Sequence, residues 1–318
     1  MPESHLRQLG SSDLLVSPIG LGCWQFAGSG MGYWNPPPQK EIDHIVQFSL
    51  EGGINWFDTA ELYGSGRSEK ALSSALQNAG KKNGDVVIAT KWNPIMRTAS
   101  NIARTFPARE KHLSPFEVDL FQVHLPYSLS SVEAQMNAMA DLMDAKKIKS
   151  VGVSNFSERR LRRAQAALNA RGYSLASNQV KYNLLDRKIK RNGILAASKE
   201  LKISIIAYSP LAQGLLSGRY HQNPQALRDL PLLRRRAVGG MVEKSKELVE
   251  ALGEMAETYG VSTSQLALNW LVNYNGETVV AIPGATKASH AQQNCAALNF
   301  KLKQTDMDKI EELSRQFI

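Results

Sequence analysis

Short apolar runs and amphipathic stretches take turns along most of this chain. Runs at residues 19–22, 54–57, 86–90, 118–123, 150–153, 176–180, 204–207 and 279–282 are short and largely apolar. They are bounded by polar or Gly-containing segments, as strands buried on both faces are. Between them the apolar residues fall at helical spacing: over 41–50, Ile42, Ile45, Val46 and Leu50 share one face. Further helices are predicted over 68–77, with Ser68 as the cap, and over 132–145, 157–168, 190–201, 244–259, 264–271, 290–298 and 305–316. Residues 95–113 are helical in part, but Pro107 and the Phe106 before it predict a break. At the start, two alternating runs flank Gly10-Ser11-Ser12-Asp13, which predicts a β-hairpin.

Eight strands alternating with helices, and no linker between them, predict an α/β fold closed as a (β/α)8 TIM barrel, with the hairpin in front and one extra C-terminal helix. A single domain over 1–318 is expected. One connection, 209–243, is long, and long loops are uncommon unless functional. It leaves the face where the strands end, so it is a candidate clamp or lid. Residues 27–39, which include Tyr33 and Trp34, are rich in Gly, Pro and aromatics; they read as a cover for that face or as surface packing.

Composition narrows the classes. No apolar run approaches ~18 residues, so no membrane helix is expected. The N-terminus is polar and lacks a signal-peptide core. Cys23 and Cys295 make neither a disulfide framework nor a metal set, which suits a reducing cytoplasm. The net charge of +9 includes basic runs at 146–149, 159–163 and 234–236. Such runs suit nucleic acid or a membrane surface, but two of them sit on or beside amphipathic helices, which favours a solvated outer face and neither partner. An anionic cofactor would also gain from the positive field.

The chemistry collects at strand ends. Asp58 closes the second strand with Tyr63 on the loop beyond it, Lys91 closes the third and His124 the fourth. In a parallel barrel these ends open on one face, so the four side chains should converge. Taken singly each has an ordinary reading: a turn former, a packed phenol, a solvated cation, a structural imidazole. Ser154 and Asn155 end the fifth strand, Gln179 lies in the sixth and Tyr208 ends the seventh. Hydroxyls and amides there suit a neutral carboxamide, and a tyrosine can stack on a flat ring. Gly28-Ser29-Gly30-Met31-Gly32 opens no helix, so no Rossmann site is expected. No His-x-His and no second well-placed carboxylate support a metal hydrolase or a glycosidase.

The run from Gly53 to Gly64, with Phe57-Asp58-Thr59-Ala60 and Tyr63-Gly64, resembles the signature of the aldo-keto reductases. The resemblance extends from Leu6 to the last helix. It implies a tetrad of Asp58, Tyr63, Lys91 and His124. Tyr63 would donate a proton, Lys91 would lower its pKa, Asp58 would hold Lys91, and His124 would bind the carbonyl oxygen of an aldehyde or ketone. It places Ser154, Asn155 and Gln179 on a nicotinamide amide and Tyr208 on its ring. Ser209, Pro210, Leu211, Gln213 and Gly214 would line a pyrophosphate, with Arg219 on phosphate. Gly284, Thr286, Lys287, His290 and Asn294 belong to the adenosine segment; Gly284-Ala285 and His290 replace the Lys-Ser and Arg of the mammalian branch. The pattern is closer to bacterial general reductases and potassium-channel β-subunits, a resemblance by which Thr286 and His290 would approach a 2′-phosphate. NADP(H) is therefore the expected cofactor, with NAD(H) as a second possibility. No metal is expected. Trp24, Trp34, Trp92 and Tyr127 would give an aromatic substrate pocket. The alternative is a cofactor-holding subunit that binds a partner and turns over slowly. Monomer and homo-oligomer both stay open.

Overall fold

Two-residue alternation along the strands sorts every barrel side chain to the inside or the outside. The computed structural model describes residues 6–28 and 35–318. Its hairpin pairs β1 (Arg7–Gln8) with β2 (Leu15–Val16). The barrel strands are β3 (Leu21–Gly22), β4 (Trp56–Asp58), β5 (Val87–Trp92), β6 (Val118–Val123), β7 (Ile148–Ser154), β8 (Leu175–Lys181), β9 (Ser204–Tyr208) and β10 (Val279–Ala281). All eight are parallel and pair in chain order. Ile19 bridges to Ala281 and Gly22 to Gly284, and these closures make a (β/α)8 barrel.

Inside, Trp56, Ala89, Leu120, Ala176, Ile206 and Val280 pack with Leu9, Leu14 and Val16 of the hairpin, which therefore plugs the N-terminal end. The Trp56 indole donates to Ser17 O at 2.9 Å. A Cβ at Gly20 would stand 2.3 Å from that ring, so only glycine fits there. A second and larger core lies between the strands and the helices.

The helices are α1 (Gln39–Glu51), α2 (Arg67–Asn78), α3 (Ser100–Leu113), α4 (Val132–Asp144), α5 (Glu158–Asn169), α6 (Ile194–Glu200), α7 (Arg219–Gln222), α8 (Pro224–Arg228), α9 (Leu232–Tyr259), α10 (Thr263–Asn273), α11 (Ala288–Ala296) and α12 (Gln304–Leu313). Three expectations are corrected. α3 runs unbroken through Pro107, because Ile102, Phe106, Arg109 and Leu113 are buried on both sides of it. Burial there outweighs a lost bond and a ring clash that cost roughly 3 kcal/mol in an isolated helix. Ser68 is not the cap of α2; Gly66 holds that place in the left-handed region, and the Ser68 hydroxyl donates to Cys23 O at 2.7 Å. Residues 209–243 are no open loop, since a 3-10 turn, α7, α8 and residues 232–243 of the 28-residue α9 fill them. The C-terminal α12 is latched by Arg187, which is fully buried, donates to Glu311 O at 2.9 Å and Ser314 Oγ at 2.6 Å, and lies 5.3 Å from the Trp270 ring centre.

Candidate active site

One step of alternation above the interior layer turns apolar residues into polar ones. Trp56 is followed two positions on by Asp58, Ala89 by Lys91 and Leu120 by Gln122. The Lys91 ammonium uses all three of its donors: Asp58 Oδ1 at 2.5 Å, Thr59 O at 2.8 Å and Tyr63 Oη at 3.3 Å. The other Asp58 oxygen accepts from Gln122 Nε2 at 3.0 Å and Gln179 Nε2 at 2.9 Å. Asp58 and Lys91 are buried to 1% and 0% exposure, and a buried ion pair this well bonded offsets much of its desolvation cost. Gln122 was not anticipated; the period of two from Leu120 toward His124 is the signal that finds it.

Tyr63 lines the cavity from a recessed position. Its ring meets that of His124 edge-on at 5.6 Å, and Lys91 Nζ lies 4.9 Å from its centre. Burial raises the Tyr63 phenol above its ordinary range; Lys91 pulls it down and Asp58 raises it again. The expectation of a net lowering is therefore corrected, because burial prevails over the cation. Burial works to lower the Lys91 ammonium, but Asp58 and then Tyr63 outweigh it and hold Lys91 above its usual value. Burial, and then the Lys91 charge, push the His124 imidazole down to about 3, so it is neutral near pH 7. His124 Nδ1 is buried with no hydrogen-bond partner.

A cavity of about 1030 Å³ runs from this cluster to α11, at the upper end of the range for ligand sites. Ser154, Asn155, Gln179 and Tyr208 stand along it. Asn155 Nδ2 donates to Ser154 Oγ at 3.0 Å, and the Tyr208 hydroxyl donates to Asn155 Oδ1 at 3.1 Å. Beyond β9 the wall is Ser209, Pro210, Leu211, Gln213 and Gly214. Four residues here have positive φ: Ser209 at 51°, Ala212 at 47°, Gln213 at 59° and Gly214 at 97°. Non-glycine residues hold that conformation at a cost, and such strain gathers at ligand clamps. The far end is lined by Arg219, Gly284, Thr286, His290 and Asn294. A Cβ at Gly284 would meet the Gln25 side chain at 2.2 Å. Asn294 is 4% exposed, yet its Nδ2 has no partner.

The pocket expectations fare unevenly. Trp24 lines the cavity, its ring 6.4 Å from Tyr63. Trp92 does not, and that expectation is corrected. It follows Lys91 directly, so it falls on the outer phase of β5, fully buried, with its indole bonded to Asn101 at 3.1 Å. Tyr127 is also corrected: it is 67% exposed and off the cavity wall. Lys287 faces a shallow neighbouring depression with Pro37, Pro38 and Glu41 instead of the cavity itself. Trp34 lies outside the described residues. Arg234 and Gln25 join the wall unforeseen; neither falls at a strand end, where the pattern directs attention.

Fold and site define an enzyme class, a (β/α)8 oxidoreductase with its chemistry at the strand ends. The chain belongs to the aldo/keto reductase family, whose model matches residues 18–315. It is 35% identical over 305 residues to an uncharacterised oxidoreductase of Mycobacterium tuberculosis (strain H37Rv), covering 95% of this chain and 90% of that one. A thermostable aldo-keto reductase solved with the inhibitor epalrestat superposes with a TM-score of 0.79 at 27% identity, over 97% of this chain and 99% of the other. An aldo/keto reductase from Klebsiella pneumoniae, solved with NADP and acetate, gives 0.75 at 25% identity over 98% and 95%.

Proposed function

We propose that this protein reduces aldehydes or ketones to alcohols with NADPH, and that Tyr63 is the proton donor. The observation that carries the reading is one ammonium, Lys91, bonded at once to Asp58 and to the Tyr63 hydroxyl beneath the cavity. NADP(H) fits the residues present. The unpartnered Asn294 amide, the positive-φ turn from Ser209 to Gly214, and Arg219 with Thr286 are donors suited to a nucleotide. A solved relative holds NADP. Asn155, Ser154 and Tyr208 would hold the nicotinamide end, with Tyr208 beside its ring. Gln179 already gives its amide nitrogen to Asp58 and, at 3.4 Å, to Gln122 Oε1, so it would serve the ring amide only through its oxygen.

When bound, the dihydronicotinamide supplies a hydride to the carbonyl carbon. His124, neutral, would donate a hydrogen bond to the carbonyl oxygen and orient it. Tyr63 would release its proton to that oxygen as negative charge develops there. Lys91 would stabilise the phenolate left behind, and Asp58 would keep Lys91 charged and in place. General acid help of this kind is worth ~10²–10⁴ in rate.

We take residues 1–318 as one barrel unit working in the cytoplasm on small carbonyl compounds. Among the described residues, no helix is long and apolar enough to cross a membrane. One observation favours a second reading, a partner-binding subunit. Ile95, Met96, Tyr127 and Leu129 are 45–79% exposed on two loops joined by the bond from Leu129 N to Arg97 O. Following NADPH absorbance with a panel of aldehydes and ketones decides between them: turnover of one or more per second supports the reductase. Tight NADPH binding with no turnover of any carbonyl supports the subunit.

A further inference from the structure

Behind the Tyr63–Lys91 pair lies a second set of charges, part of it fully buried. It begins at Glu61, on the loop between Asp58 and Tyr63. The Glu61 amide donates to the carbonyl of Lys91 itself at 3.1 Å. Its carboxylate accepts from Asn93 N at 2.9 Å and from Arg97 Nη1 at 2.7 Å, with Arg109 Nη1 at 3.6 Å. Arg109 is 4% exposed and sets its Nε 3.1 Å from Glu69 Oε2. Glu69 is fully buried and takes the Thr90 hydroxyl at 2.7 Å. Thr90 is the residue before Lys91. The path from Glu61 through Arg109, Glu69 and Thr90 thus returns to β5, the strand whose Lys91 carbonyl the Glu61 amide holds. His112 Nδ1 lies 3.0 Å from Glu69, and a Cβ at Gly66 would fall 2.2 Å from the same nitrogen, so the loop after Tyr63 is pressed against this cluster too.

Burying the Glu69 carboxylate and the Arg109 guanidinium, with Glu61 at 15% exposure beside them, is a poor route to stability, since well-packed apolar residues of similar volume often serve as well or better. The connections point elsewhere: they grip the loop of Tyr63 together with Thr90 and Asn93, on either side of Lys91. A misplacement of 1 Å in a reacting group costs about 100-fold in rate.

We propose that Glu61 is a positioning residue, anchored by Arg109 and Glu69, that sets the distance between the Tyr63 hydroxyl and the Lys91 ammonium. The proposal rests on the reductase reading only for its catalytic consequence. Three variants test it. Glu61→Ala removes the grip, Glu61→Asp keeps the charge but shortens the reach, and Glu61→Gln keeps an acceptor for Asn93 N. In each, the ionisation of Tyr63 is followed by phenolate absorbance, with Tyr63→Phe subtracted, alongside kcat, KM and Tm. Arg109 retains Glu69 throughout.

In Glu61→Ala the Tyr63 titration moves up, since Lys91 stands farther off. The kcat falls by about 10-fold with KM within about 2-fold. Glu61→Asp shifts in the same direction, and carries the test if the alanine variant does not fold. Glu61→Gln recovers most of kcat. An unmoved Tyr63 titration in Glu61→Ala and Glu61→Asp overturns the proposal, whatever happens to Tm. Wild-type turnover by Tyr63→Phe would remove the reductase role of Tyr63 and leave the titration to decide the placement alone.

Discussion

Lys91 has no donor to spare, and that makes it the most sensitive residue of the site. Lys91→Met leaves the buried Asp58 carboxylate with two amides and no cation. Breaking a buried pair in this way costs roughly 3–5 kcal/mol. The kcat should drop by about 100-fold or more, because the phenolate loses its counter-charge; kcat and a urea unfolding curve measure the two losses together. His124 gives a pH prediction. Its folded pKa, about 3, lies below the ordinary 6.5, so the unfolded chain binds the proton first as pH falls. Its contribution is therefore fully present above about pH 6.5 and is lost between there and about 3, at up to ~1.4 kcal/mol per pH unit. Urea midpoints at pH 4.5 and 7 should differ less in His124→Asn than in wild type. An equal drop in both would mean that the proton is taken up elsewhere.

The elements explain what the sequence could and could not reveal. Apolar runs located every barrel strand, and Asp58, Lys91 and His124 stood out because polar residues at strand ends break an apolar pattern. Phase was harder to read. The sequence offers Trp92 as one of four pocket aromatics, but it neighbours Lys91, and neighbours on a strand face opposite ways. Trp92→Ala should accordingly cost about 3–5 kcal/mol of stability and leave KM unchanged; a raised KM with an unchanged urea midpoint would put Trp92 back at the substrate. Pro107 misled because local backbone preference is silent about the burial of Phe106 and Arg109. The helices within 209–243 were invisible because that stretch mixes Arg, Gln and Gly without a clean apolar face. Gln122 was hidden among apolar neighbours in β6. At the ends of β7 and β9, Asn155→Ala and Tyr208→Ala should weaken NADPH binding with little change in Tm. Calorimetry showing wild-type affinity in both would take them out of the site.

At the scale of the molecule, the net charge is +9, and many of the charged side chains are paired. Arg162 pairs with Glu200, Arg163 with Glu133, Lys147 with Glu110 and Lys149 with Asp119, each at 2.7 Å. The first three, exposed on both sides, add little stability. At the far end of the cavity burial, and then the charges of Lys287 and Arg219, lower the His290 imidazole, and Arg219 stands in the cavity lining beside it. Preference for NADPH over NADH should shrink at high salt and in Arg219→Ala, because exposed charges are screened. Equal kcat/KM for the two cofactors at low salt would refute the preference.

The central claim is that Tyr63 gives its proton to a carbonyl oxygen beside bound NADPH. The most direct measurement compares wild type and Tyr63→Phe for NADPH affinity by calorimetry and for reduction of the best aldehyde by loss of NADPH absorbance. Only the hydroxyl changes. Affinity within about 2-fold and turnover lower by ~10²–10⁴ is the predicted result. Turnover equal to wild type at the same affinity would contradict it.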